Sequence, residues 1–161
     1  MKPVILLDVD GVLNPVVHPG RGGEQPTLRL SNQKKALVLR LARIGRIAWI
    51  STWPADAVAG LEGQLGLGVE ALRVVMIFRR ADADVPTPKL SSLKRWLSRM
   101  EALEEADWDC VVWIDDVLGP DARAWAEGYK HPVHLVQPHP GPGLTEDQVR
   151  GIEAFVTEGE S

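Results

Sequence analysis

The chain has 161 residues, 45% of them hydrophobic and 25% charged, with a formal net charge of −4. This length fits one domain with a sizeable core, and the acidic balance excludes a global basic field that would draw in nucleic acid, while leaving room for a local basic rim. A single cysteine, Cys110, excludes an internal disulfide framework and points to a reducing compartment. Cys110 opens an apolar run, where a thiol acts as a small buried hydrophobe. The N-terminal apolar run is too short for a signal-peptide core and ends in acids. No stretch is long enough to span a bilayer. The expectation is a cytoplasmic protein with no membrane partner.

In chain order, Val4-Ile5-Leu6-Leu7 runs into Asp8-Val9-Asp10-Gly11. A short apolar run closed by a turn signal reads as a fully buried strand of a parallel sheet. The two carboxylates then fall where the strand ends, and ligands of open α/β sheets bind outside that end. Two acids one residue apart repel each other unless a cation lies between them. Mg²⁺ suits that place, being a hard ion held by one or two carboxylates and by phosphate oxygens. The plain alternative is a strand followed by an Asp-Gly turn.

Residues 15–27 are rich in Pro and Gly and read as a loop. So long a loop at the carboxyl edge suits a flap over a site, and we set that flap at residues 14–30. Ser31 suits a helix N-cap, with Leu37, Leu41 and Ile44 as the stripe and Gly45 as the stop. Ile47-Ala48-Trp49-Ile50 is the second buried strand and ends in Ser51-Thr52. Trp53-Pro54 begins a helix whose stripe is Val58, Leu61 and Leu65. The third strand is expected over Leu72 to Ile77, with Arg79-Arg80 just past its end.

Thr87 is expected to cap, and Pro88 to open, a helix with Leu90, Leu93, Leu97 and Met100 on one face. Glu101 to Asp109 reads mostly as solvated surface and turn. Cys110 to Ile114 is the fourth strand and ends in Asp115-Asp116. A short helix from Gly119-Pro120-Asp121 leads to a fifth strand at Val133 to Gln137. Thr145 and Gln148 make a capping box for a last helix with Val149, Ile152 and Val156. Five strands alternating with helices predict an α/β fold, a Rossmann-like three-layer sandwich on a five-stranded parallel sheet. We expect one domain over 1–161. Neither the flap nor the segment after the third strand has room for a cap, so the site should be open.

Polar residues thus stand at the carboxyl ends of three strands: Asp8 and Asp10, Ser51 and Thr52, Asp115 and Asp116. Lys89 stands in the first turn of a helix, where the dipole disfavours a cation. Either it is a surface lysine that bears this small cost, or a bound phosphate reverses it. In this order the residues resemble the haloacid dehalogenase-like (HAD) phosphohydrolase superfamily, over essentially the whole chain. Asp8-Val9-Asp10-Gly11 matches the first motif, Ser51 the second (often Thr), Lys89 the third and Asp115-Asp116 the fourth. The stretches Leu7 to Asn14, Trp49 to Trp53, Trp113 to Asp116 and Gly143 to Thr145 are similar to a small bacterial group of HAD domains. Relatives of that group are fused to RNA-repair proteins.

The resemblance implies a Mg²⁺-dependent phosphatase. Asp8 would be the nucleophile that forms an aspartyl-phosphate. Asp10 would be the general acid and base. Ser51, Thr52 and Lys89 would hold phosphate oxygens, and Asp8, the Asp10 carbonyl, Asp115 and Asp116 would hold the metal, with Asp115 the first choice for the direct ligand. Asp115-Asp116 can otherwise be a helix-capping pair before Gly119.

The substrate would be a phosphorylated small molecule, such as a nucleotide, or a nucleic-acid end. Arg79 and Arg80 can grip a second phosphate or be plain surface. Asn14 is a further candidate contact. Trp53 can stack on a base or pack under the flap. His18 and His139 fit no zinc spacing and read as loop residues. Trp49 and Trp113 read as core. Two other classes compete. A phosphate-accepting signalling module needs an acceptor Asp where this chain has Phe78-Arg79-Arg80. A non-catalytic phosphate binder has no need of Asp10.

Overall fold

The computed structural model describes residues 1–14, 29–67 and 71–159. Five strands, β1 (Pro3–Leu7), β2 (Arg46–Trp49), β3 (Leu72–Arg73), β4 (Cys110–Ile114) and β5 (Val133–Val136), form one sheet in the order β3-β2-β1-β4-β5. Every pairing is parallel, with Leu7 opposite Trp49 on one side and Ile114 on the other. The chain winds outward from β1 to β3, then restarts on the far side of β1 with β4. The order therefore reverses between β1 and β4, and a crevice opens there beyond the strand ends.

The helices are α1 (Asn32–Ile44), α2 (Ala55–Leu65), α3 (Leu90–Ala102), α4 (Pro120–Gly128) and α5 (Glu146–Glu158). Period-two geometry sends alternate strand residues to opposite faces. Ile5, Leu7, Ile47, Trp49, Val112 and Ile114 pack with α1, α2 and α5 through Leu37, Leu41, Leu61, Val149 and Ile152. Val4, Leu6, Ala48, Ile50, Val111 and Trp113 pack with α3 and α4 through Leu93, Trp96, Leu97 and Ala122. Both faces are covered, which is why the central strands are apolar without alternation. The three-layer sandwich is the predicted one, and no cap domain stands over the sheet among the described residues. Nor is any helix long and apolar enough to cross a membrane. Residues 15–28 of the expected flap, with His18, lie outside the described residues.

Most caps are as predicted: Ser31 accepts from Lys34 N, and Thr145 and Gln148 form their reciprocal box. Three expectations need correction. The third strand is two residues long rather than six. Beyond it Val74 N still donates to Trp49 O at 2.8 Å, but the Ile77 N–H and C=O both turn to the Ser92 hydroxyl on α3. A side chain thus takes the bonds that a ladder would have used. Thr87 does not cap α3; its hydroxyl donates to Asp121 at 2.6 Å and accepts from Gly119 N at 2.7 Å. The helix starts later, with Lys89 at the N-cap. Finally, α3 runs through Ala102, and Trp108 is buried in the acidic stretch, stacked on Trp96 at 5.5 Å between ring centres.

Candidate active site

β1 delivers Asp8 to the reversal point, and Asp8 N extends the ladder by donating to Ile114 O at 3.1 Å. The next residues fold back sharply. The amides of Val12, Leu13 and Asn14 all point at Val9 O, and Gly11 N donates to Asn14 O at 2.6 Å. Gly11 has φ +78°, and a Cβ there would collide with the Asp116 carboxyl. Glycine therefore satisfies both the left-handed turn and the approach of the fourth-motif carboxylate. β4 places Asp115 beside Asp8, held by Asp115 N to Val136 O at 3.1 Å.

Lys89 closes the group. Its ammonium stands 2.8 Å from Asp8 Oδ1 and 3.0 Å from Asp115 Oδ2, and donates to Ile50 O at 3.1 Å. Its place at the head of α3 is unfavourable to a cation, but two buried carboxylates more than offset a dipole effect of about 0.3–1 kcal/mol. Asp8 and Asp115 are 4% and 0% exposed. Burial and then the neighbouring Asp115 push the Asp8 carboxyl up to about 8, against the pull of Lys89. Burial likewise raises Asp115. Burial works against the Lys89 charge, yet Asp115 and Asp8 overcome it and hold the ammonium above its ordinary value.

Asp8, Asp115 and Asp116 can each offer an oxygen within 4.8 Å of the others. Crowded, partly desolvated oxygens are a donor set that fits a hard divalent cation. Asp115 offers the more constrained oxygens, since Oδ1 already accepts from Val117 N at 3.0 Å.

Ser51 and Trp53 follow β2. The buried Ser51 oxygen accepts from Trp53 N at 3.0 Å, which leaves its hydroxyl proton free for a phosphate oxygen. Trp53 is buried, and its indole Nε1 donates to Asp10 Oδ2 at 2.9 Å. A cavity of about 260 Å³ opens over this group, lined by Asp8, Asp10, Thr52, Lys89, Asp115 and Asp116, with Phe78, Thr87, Pro88 and Val117 at its wall.

The geometry thus brings together Asp8, Asp10, Thr52, Lys89, Asp115 and Asp116, with Ser51 adjoining. Arg79 and Arg80 are exposed, follow Phe78 at the start of a 3₁₀ turn (Arg80–Asp84), and do not line this cavity. Asn14 lines a neighbouring hollow with Arg29, Ser31 and Lys34. His139 is exposed in its loop. Trp49, Trp113 and Cys110 are core, as read from the sequence.

Sequence reasoning missed Phe78 and Val117 as wall residues, and it missed the partner of the Trp53 indole. The one available signal for the latter was the position of Trp53 two residues past Ser51, which returns its side chain toward β1.

No curated protein and no solved structure matches this chain. The family model of the HAD domain in Swiss Army Knife RNA repair proteins matches residues 4–149, nearly the whole chain. The chain belongs to that family of HAD domains, and this membership supports a phosphatase-type hydrolase in general.

Proposed function

We propose that the protein hydrolyses phosphate monoesters with Mg²⁺, through an aspartyl-phosphate on Asp8. The observation that carries this reading is the buried Asp8–Lys89–Asp115 group at the sheet's reversal point, with Asp116 in reach and Asp10 on the same cavity. The ion would be held by Asp8, Asp115, Asp116 and the Asp10 carbonyl. When bound it supplies positive charge against the phosphate oxygens and the nucleophile's own charge. Lys89 and the Ser51 hydroxyl hold non-bridging oxygens, with Thr52 at the cavity wall.

The Asp8 carboxylate forms a bond to phosphorus as the ester oxygen leaves, and the proton for that oxygen comes from Asp10. Asp10, now ionised, removes a proton from the water that attacks the aspartyl-phosphate, and inorganic phosphate departs. Positioning and charge stabilisation carry most of the catalysis in such a transfer.

The substrate we infer is a nucleotide or another phosphorylated small molecule, or a nucleic-acid end, the last in keeping with the RNA-repair setting of the family. Arg79 and Arg80 would then meet a second phosphate outside the cavity.

A hydrolysis screen with and without Mg²⁺ tests the reading, over nucleotides, sugar phosphates and 3′- or 5′-phosphorylated oligonucleotides. Metal-dependent release and a phosphoenzyme trapped on Asp8 are expected. No release from any ester, or release without a trappable phosphoenzyme, would overturn it. Phosphate retained on Asp8 for minutes would instead favour the signalling module. Replacing Arg79 and Arg80 together by Ala should raise KM for a doubly phosphorylated or oligonucleotide substrate and spare an aryl phosphate. Equal effects would remove the second phosphate contact.

A further inference from the structure

Trp49, Trp53 and Trp113 are all buried, but their indole N–H groups fare differently. Among the described residues, Nε1 of Trp49 and of Trp113 has no hydrogen-bond partner. Nε1 of Trp53 has one, and it is Asp10 Oδ2 at 2.9 Å. The tryptophan itself is fixed by two further bonds. Its amide donates to Ser51 Oγ at 3.0 Å, and its carbonyl accepts from Arg73 Nη2 at 2.9 Å. One rigid residue therefore joins the Ser51 hydroxyl just past β2 to the carboxylate three residues past β1.

We propose that Trp53 is a positioning residue for proton transfer. Its indole N–H engages one oxygen of Asp10 and so presents the other to the leaving group beside Asp8. The inference rests on the phosphatase reading but concerns a residue that reading does not use. A carboxylate on a short side chain rotates freely unless one oxygen is pinned. An indole is a donor only, so it cannot take the proton that Asp10 must deliver. The bond also links the two motifs, so the hydroxyl and the proton donor are set in register by one residue, through its amide and its indole. The two orphaned indoles show that burying a tryptophan here does not itself secure a partner.

The test is Trp53→Phe, which keeps an aromatic ring and removes the N–H. If the positioning role holds, kcat should fall about 10-fold for an alkyl phosphate, a part of the ~10²–10⁴-fold typical of general acid–base help. A nitrophenyl phosphate, whose leaving group needs little protonation, should lose less than about 3-fold. KM should stay put for both. In an Asp10→Asn background, Trp53→Phe should cause no further loss, because the two side chains act as a unit. Equal losses on both esters, or an undiminished alkyl rate, would overturn the proposal.

Should Trp53→Phe fail to fold, the indole ¹H–¹⁵N resonance of the Mg²⁺-loaded protein decides. The Trp53 indole proton should exchange slowly in the natural sequence and much faster in Asp10→Ala, and unchanged exchange would overturn the bond. A protein inactive on every ester would defeat the phosphatase reading, while the exchange measurement would still judge the Trp53–Asp10 bond.

Discussion

The two ends of one sheet carry the same kinds of charge in opposite circumstances. At the amino end, Lys2 and Arg46 lie 3.8 Å and 3.6 Å from Asp107, which is about half exposed, in front of β1, β2 and β4. At the carboxyl end, Lys89 bridges Asp8 and Asp115 at 2.8 Å and 3.0 Å, and both carboxylates are buried. Water and salt screen the first group, and such pairs are worth ~0–1 kcal/mol. The second group has lost its water, so each charge depends on the others and on whatever binds there. The fold thus concentrates its electrostatic strain at one end, where the strand order reverses and a ligand can relieve it.

The largest effect should follow from Asp8→Asn at the strained end. With no nucleophile, turnover should vanish and no phosphoenzyme should form. Asp10→Asn keeps the backbone carbonyl and loses the proton carrier, so ~10²–10⁴-fold of the rate should go. With a nitrophenyl ester it should still show a burst followed by slow turnover, as Asp8 is phosphorylated but not released. Rapid-quench trapping of labelled phosphate distinguishes the two. Identical behaviour with activated esters would mean the roles are misassigned.

Lys89→Met comes next. It leaves Asp115, and Asp8 wherever that group is ionised, buried without their cation, and breaking a buried pair typically costs ~3–5 kcal/mol. Denaturant unfolding in EDTA should show a loss of that order. A loss below about 1 kcal/mol would place Lys89 with the screened charges of the other end.

Mg²⁺ should then partly relieve the strain in the natural sequence. Binding to the native state alone adds about 2.7 kcal/mol at ~100-fold over Kd. The pH dependence has a definite sign. Asp8 moves from 3.8 unfolded to about 8 folded, so the metal-free native state holds its proton more tightly than the unfolded chain. The associated stability is full below 3.8 and is lost as pH rises toward 8. The metal needs the ionised carboxylate, so its stabilisation should grow over the same range. Melting temperatures with Mg²⁺ and with EDTA across that window give the answer. An increment that is absent, or that shrinks with rising pH, would count against the site.

The candidate site at the carboxyl end was legible in the sequence because its residues sit at fixed points of the βα alternation. A buried strand followed by Asp8, Ser51 or Asp115 needs no tertiary information. Lys89 was legible as an anomaly, a cation where the dipole disfavours one. The segment after β3 was not legible. Val74 to Phe78 is apolar enough for a strand, yet Val75 is 61% exposed and Phe78 50%. The Ser92 hydroxyl, 15 residues away in sequence, diverts the backbone bonds of Ile77. Thr87 was misread for a similar reason. Its hydroxyl bonds Asp121 and Gly119 at the head of α4 rather than its own helix. The Trp53–Asp10 bond spans 43 positions, and no local pattern encodes it.

The smallest effect belongs to the amino end, and it is the sharpest check on the contrast. Asp107→Ala removes the shared partner of Lys2 and Arg46 at once. Both pairs are long, and the side chains are 69%, 37% and 47% exposed for Lys2, Arg46 and Asp107. Neither cation becomes a buried charge when the acid is lost, because each is already hydrated. Lys2 N also keeps a separate bond to Asp109 Oδ1 at 2.6 Å. Surface changes of this kind usually fall within about ±0.5 kcal/mol, and what remains should fade in ~1 M salt, where the Debye length is about 3 Å. Urea unfolding of Asp107→Ala at low and high salt, beside Lys89→Met, makes the comparison directly. The Lys89 effect should persist in salt because its group is shielded from ions. If Asp107→Ala costs as much as Lys89→Met, burial is not what separates the two ends, and the charges at the carboxyl end would be ordinary surface chemistry.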